Sequence, residues 1–199
     1  SITMDPYSKG AFIVGTKEEE MTNRHGDSLS LQVWYPASDA KDELYLYDGF
    51  ISGTALDKAV PACQETRPVV MFSHGSGGMR YQSYYLTEYL ASHGFVVAAP
   101  DHKGNTVFDY DNDMLGELIF RRPEDIIDAF DTLPSLSYLA DCVSLEDGYA
   151  VVGHSFGGFT TLALAGATID TIASAEYCNE HPYYWLCDDV AGFAAENGS

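Results

Sequence analysis

Apolar positions along this chain fall into three patterns, and each predicts an element. Pro68 to Ser73, Phe95 to Pro100 and Tyr149 to Val152 are apolar at nearly every position. The first two suit strands buried on both faces of a parallel sheet, and the third suits a short strand leading into a helix. From Ser28 to Tyr35 the pattern differs: Leu29, Leu31, Val33 and Tyr35 alternate with Ser30, Gln32 and Trp34. That alternation predicts a half-exposed strand stopped by Pro36, with a partner over Gly10 to Met21 across the polar turn Thr22–Asp27. Helical spacing predicts a helix over Ser83 to His93, with Tyr85, Leu86, Tyr89 and Leu90 on one side and Gly94 as its stop. A second is expected over Arg122 to Leu133, where Pro123 and two acids suit a first turn and Ile126, Ile127, Phe130 and Leu133 form the buried stripe. A third, rich in small residues, runs from Phe156 to Ala167.

Strand, helix, strand, helix, strand, helix in this order predicts an α/β domain: a mainly parallel sheet, helices on both faces, and functional loops at the carboxyl ends of the strands. Two stretches carry no sustained period. Ala37 to Arg67 reads as a long surface excursion with a short helix near Thr54 to Ala59, and Asp101 to Phe120 as a polar and aromatic connection.

Charge and cysteines narrow the setting. Ten basic against thirty acidic residues give a formal net charge of −20, which argues against nucleic acid and anionic membrane as partners. No apolar run approaches the length of a membrane span. Cys63, Cys142, Cys178 and Cys187 are an even number without zinc-site or redox spacing. Reduced buried thiols fit this count; so does export, secreted or periplasmic, with Cys178 paired to Cys187 and Cys63 to Cys142 across the domain. Export is the favoured reading.

The chemistry concentrates in two loops. Gly153-His-Ser155-Phe-Gly157 follows an apolar run and opens a helix, so Ser155 is expected on a tight strand-to-helix turn as a nucleophile. His74-Gly-Ser-Gly-Gly78 follows the run at Pro68–Ser73 and reads as an oxyanion loop, with the backbone N–H groups of Ser76 and Phe156 as donors. The glycine-rich loop has neither the Lys-Ser/Thr of a phosphate-binding loop nor the spacing of a dinucleotide fingerprint. The six histidines lack ligand spacing, so no metal site is predicted, and His74 and His154 are expected to pack or hydrogen-bond around the loops. Aromatics at Tyr81 to Tyr85 and Phe108 to Tyr110 suit an acyl or aryl pocket and core packing equally.

Pro68 to Gly78, Tyr89 to Thr106, Arg122-Pro-Glu-Asp-Ile126 and Gly153 to Gly158 together resemble the predicted dienelactone hydrolase branch of the α/β-hydrolases. That branch is related to the platelet-activating-factor acetylhydrolases and cutinase-like polyester hydrolases. Tyr7 to Gly15 and Val33-Trp-Tyr-Pro36 fit it as well. The resemblance implies a serine esterase acting through an acyl-enzyme on a small-molecule ester, without a cofactor. In this fold the acid and histidine of the triad follow the serine on later strands. Asp170 with His181 is the clearest pair in that order, and it lacks the strands that would return both residues to Ser155. Residues 1–199 are therefore expected to be the N-terminal part of a single domain, the larger part of a cleaved or truncated precursor. A second polypeptide from that precursor is expected to complete the sheet and carry Asp and His. Two other readings stay open: a non-catalytic binding module on a hydrolase scaffold, and an acyltransferase, thioesterase or lactonase using the same serine.

Overall fold

The computed structural model describes residues 8–40, 43–168, 170–184 and 187. Tyr7, Ile169 and the Asp188 to Ser199 stretch lie outside the described residues. Among the described residues, seven strands form one sheet: β1 (Ile13–Thr22), β2 (Ser28–Ala37), β3 (Leu44–Tyr47), β4 (Ile51–Asp57), β5 (Val69–Ser73), β6 (Val96–Pro100) and β7 (Tyr149–Gly153). Their spatial order is β3-β4-β1-β2-β6-β5-β7. β5 runs parallel to both β6 and β7, so the half of the sheet that carries the glycine-rich loops is parallel. β2 joins this half antiparallel through β6, and pairs antiparallel with β1 on its other side.

Helices cover both faces. On one, α2 (Leu115–Thr132) packs Ile126, Ala129 and Phe130 against Leu31, Val33, Met71 and Ala98. On the other, α1 (Tyr84–Ser92) packs Ala91 against the layer of Trp34, Val70, Phe72 and Val97. α3 (Phe156–Leu164) follows β7 and lies beside α2 and β5, and α4 (Thr171–Glu180) comes after it. Cys63 is bonded to Cys142 and Cys178 to Cys187. The first bridge closes a separation of 79 residues, which by loop closure restricts the unfolded chain by about 4 kcal/mol.

Several sequence expectations are corrected. Ala37 to Arg67 is no excursion with a helix: it holds the β3–β4 hairpin, and Thr54 to Asp57 is strand. The hairpin turns through Asp48 and Gly49, both at positive φ. β2 continues through Pro36 and is buried on both faces. Its Gln32 is buried, satisfied by the Thr16 hydroxyl at 2.8 Å and approached by Tyr45. In α1 the buried side is Thr87, Glu88 and Ala91, and Tyr85 is exposed. Glu88 is buried because Tyr47 Oη and the Thr54 amide and hydroxyl all donate to its carboxylate at 2.8 Å. α2 begins at Leu115, so Pro123 lies inside the helix instead of in its first turn. Burial of Leu115, Leu118 and Ile119 ahead of it offsets the missing N–H.

Candidate active site

Parallel pairing places Ser73 of β5 opposite Gly153 of β7, so the two glycine-rich loops leave the sheet side by side. Ser155 sits at φ 53° and ψ −116°. Such a backbone costs about 1–3 kcal/mol for a residue other than glycine. The surroundings enforce it. A Cβ on Gly157 would lie 1.9 Å from the Ser73 carbonyl oxygen, and one on Gly153 would lie 2.0 Å from that of Gly157. Strand and helix thus close tightly enough that both positions require glycine. Ser155 is lifted to the surface, where its hydroxyl bonds to no described residue.

The loop after β5 is held at each peptide. The Gly75 carbonyl accepts from His74 Nδ1–H at 2.7 Å and from the Gly78 N–H at 2.9 Å. Carbonyl and N–H point in opposite directions across a trans peptide, so this anchoring turns the Ser76 N–H outward. Gly77 N–H donates to the Asn105 carbonyl at 3.1 Å. Gly75 N–H donates to Gln82 Oε1 at 2.9 Å, and Gln82 Nε2–H donates to His154 Nδ1 at 2.8 Å. A Cβ on Gly75 would come within 3.4 Å of Ser155 Cβ, so the loop lies against the serine. Among the described residues, neither the Ser76 N–H nor the Phe156 N–H has an acceptor.

The histidines have other partners. His74 is fully buried; its Nδ1–H serves Gly75 and its Nε2 accepts the His102 N–H at 3.1 Å. Burial, then the neighbouring His102 and Arg122, hold its pKa well below the usual histidine value. His25 faces Glu124, His93 faces the Tyr89 carbonyl, and His181 faces the Tyr177 carbonyl. Asp170 caps α4 by accepting from the Ile172 and Ala173 N–H groups, while His181 stands at the opposite end of this ten-residue helix. About 15 Å of helix separates them, so they form no pair.

Beneath the two loops lies a buried polar chain that sequence reasoning missed. Arg122 Nη2–H donates to Ser73 Oγ at 3.0 Å, Ser73 Oγ–H donates to His102 Nε2 at 2.9 Å, and His102 Nδ1–H donates to Asp125 Oδ2 at 2.9 Å. Serine, histidine and aspartate are aligned as in a triad, but Ser73 and His102 are 0% and Asp125 2% exposed. No substrate reaches this serine, and its hydroxyl is occupied on both sides. Burial lowers the pKa of His102 and raises that of Asp125 to about 6, the latter countered by the Asn23 amide at 2.8 Å. The available signal was Arg122 and Asp125 three residues apart on an otherwise apolar helical stripe.

The aromatics divide. Tyr81 belongs to the core and Tyr84 packs on Tyr47, whereas Phe108 is exposed. Tyr110 stands at the loop, its Oη 3.0 Å from Ser76 Oγ.

Residues 53–110 match the family described as platelet-activating factor acetylhydrolase, isoform II. That span includes β5, β6 and His74–Gly78 and stops before Ser155. Over 110 residues, 53% of this chain, it is 30% identical to dipeptidyl aminopeptidase BIII of Pseudoxanthomonas mexicana, and the match spans 15% of that protein. Ferulic acid esterase from Streptomyces cinnamoneus superposes with a TM-score of 0.67 at 22% identity, over 80% of this chain and 57% of its own. The acylaminoacyl peptidase of Pyrococcus horikoshii gives a TM-score of 0.52 at 17% identity, over 75% of this chain and 20% of its own. The chain thus spans less than two thirds of each of these relatives.

Proposed function

We propose that this chain, a member of the α/β-hydrolase superfamily with its fold, forms part of a serine carboxylic-ester hydrolase in which Ser155 is the nucleophile. The observation that carries this reading is the strained Ser155 turn set against a loop whose Ser76 N–H has no acceptor. Ser155 Oγ attacks the ester carbonyl, and a histidine takes its proton. The developing oxyanion is held by the Ser76 and Phe156 N–H groups, each contributing about 10²–10³-fold. Collapse expels the alcohol, and water then releases the acid from the acyl-enzyme. The reaction calls for no cofactor or metal.

The histidine and its acid come from outside residues 1–199, on a further part of the protein that packs against this one. All six histidines have places in the described residues, and none bonds to Ser155. The side of the domain nearest Ser155 also offers a surface for such a partner. β7 pairs only with β5 among the described strands. Val152 is exposed, and an apolar groove of about 480 Å³ between α2 and α3 is lined by Ile119, Phe120, Phe159 and Leu162. The two disulfides accord with an oxidising, secreted or periplasmic setting.

Ser155→Ala tests the assignment in the complete native protein. Ester turnover is expected to fall by about 10⁴-fold or more, with the circular dichroism spectrum and thermal midpoint preserved. A folded variant that still turns over removes Ser155 from the mechanism.

A further inference from the structure

Ser76 and Phe156 lie on different loops, and their N–H groups act together only if the loops keep a fixed separation. One buried side chain touches the supports of both. Arg122 donates through Nη2 to the His74 carbonyl and to Ser73 Oγ, and through Nη1 to Asn105 Oδ1. Asn105 in turn donates from Nδ2 to Ser76 Oγ at 3.1 Å and accepts the Gly77 N–H at 3.1 Å. Toward the other loop, Arg122 Nε–H donates to Thr160 Oγ1 at 3.2 Å, whose own hydroxyl donates to the Phe156 carbonyl at 3.1 Å. The guanidinium carbon also lies 4.6 Å from the centre of the Phe156 ring. The side chain is fully buried; among the described residues it forms no ion pair, although the charge of Asp125, three residues on, acts on it.

A buried guanidinium is costly to keep, and a purely packing role at this position would be met by an apolar residue. Its planar fork does what lysine or methionine cannot: it bonds in several fixed directions at once. We infer that Arg122 is the positioning residue that sets the spacing of the Ser76 and Phe156 donors, linking the His74–Gly78 loop to the start of α3. It touches neither substrate nor Ser155 and acts through His74, Asn105 and Thr160. The inference rests on the esterase reading above.

The test uses the complete native protein, with p-nitrophenyl acetate and its thionoester as substrates and fluorophosphonate titration to count competent sites. Arg122→Lys is expected to lower kcat per titrated site by about 10–100-fold, with KM within about threefold. The preference for the oxygen ester over the thionoester shrinks in parallel, because a misplaced donor pair no longer discriminates the smaller oxyanion. Thr160→Val keeps the side-chain volume and removes both bonds of the Arg122–Thr160–Phe156 link, leaving the bonds of Arg122 to His74, Ser73 and Asn105. It is expected to lower kcat about 3–10-fold, with Thr160→Ser restoring it. Unchanged kcat per titrated site and unchanged ester preference in Thr160→Val, or in folded Arg122→Lys, overturn the positioning role even if stability falls. A wild-type protein that is neither labelled at Ser155 nor active on the ester overturns the esterase reading itself.

Discussion

β5 and β7 are neighbours in parallel register, five residues long and similarly apolar, but every residue of β5 is buried and none of β7 is. The difference lies in their surroundings. β5 has β6 on one side and β7 on the other, with Ala91 of α1 packed with Val70 and Phe72 on one face and α2 and α3 over the other. β7 has a strand on one side only among the described residues, and α3 covers the face opposite Val152. Composition alone therefore describes what a strand is suited to bury, and the rest of the assembly decides what it does bury. Ser155 sits at the junction of the two regimes, held by the finished side and facing the open one.

The strongest way to break this comparison is a charge on the finished side. Val97 is fully buried on the same face of the sheet as Val70 and Phe72. An aspartate there is expected to cost about 4 kcal/mol or more, read as loss of the cooperative urea transition. A Val97→Asp chain with near-normal stability would mean that this face is wetter than its packing.

Acid titration of the buried polar chain is the next lever. His74 and His102 have folded-state pKa values below their unfolded ones, so the unfolded chain takes up protons that the folded chain cannot. Stability from these two is complete above about pH 6.5 and falls as pH drops, by about 1.4 kcal/mol per pH unit for each. Asp125, raised to about 6, works in the opposite sense: the folded chain binds its proton first, so acidification from 6 toward 4 favours folding. Asp125→Asn should accordingly steepen the loss of stability in urea titrations between pH 6 and 4. An unchanged or shallower slope would contradict an Asp125 that takes up its proton near pH 6 in the folded chain.

The smallest expected effect sharpens the comparison most. Val152→Asp on β7 should change the stability of this chain alone by about 0.5 kcal/mol or less. In the complete protein the same substitution should cost about 2–4 kcal/mol. Equal small effects in both settings would show that the β7 face stays open.

Much of this organisation was legible in the residues. The three continuous apolar runs are β5, β6 and β7, and the Gly153–Gly157 pentapeptide is the strand-to-helix turn, with glycine required at Gly153 by the start of α3 and at Gly157 by the Ser73 carbonyl of β5. The β3–β4 hairpin was obscured by the mixed charge around it, although Asp48-Gly49 is a strong turn signal in its own right. The start of α2 was misplaced because Pro123 suits a first turn by local rules, and tertiary burial of Leu115 to Ile119 overrides them. Arg122, Asn105, His102 and Asp125 were illegible as a group. Their partnership depends on three separate elements meeting beneath the loops, and no local period records that.

Everything proposed above rests on Ser155 as the nucleophile and on a histidine from outside residues 1–199. The most direct measurement is fluorophosphonate labelling of the natively purified protein, followed by denaturing intact-mass analysis and peptide mapping. An adduct on Ser155 is expected in the natively purified protein, with no labelling of residues 1–199 once isolated and refolded. Labelling of the isolated, folded chain at Ser155 would contradict the external base, and an adduct on any other residue would contradict the nucleophile.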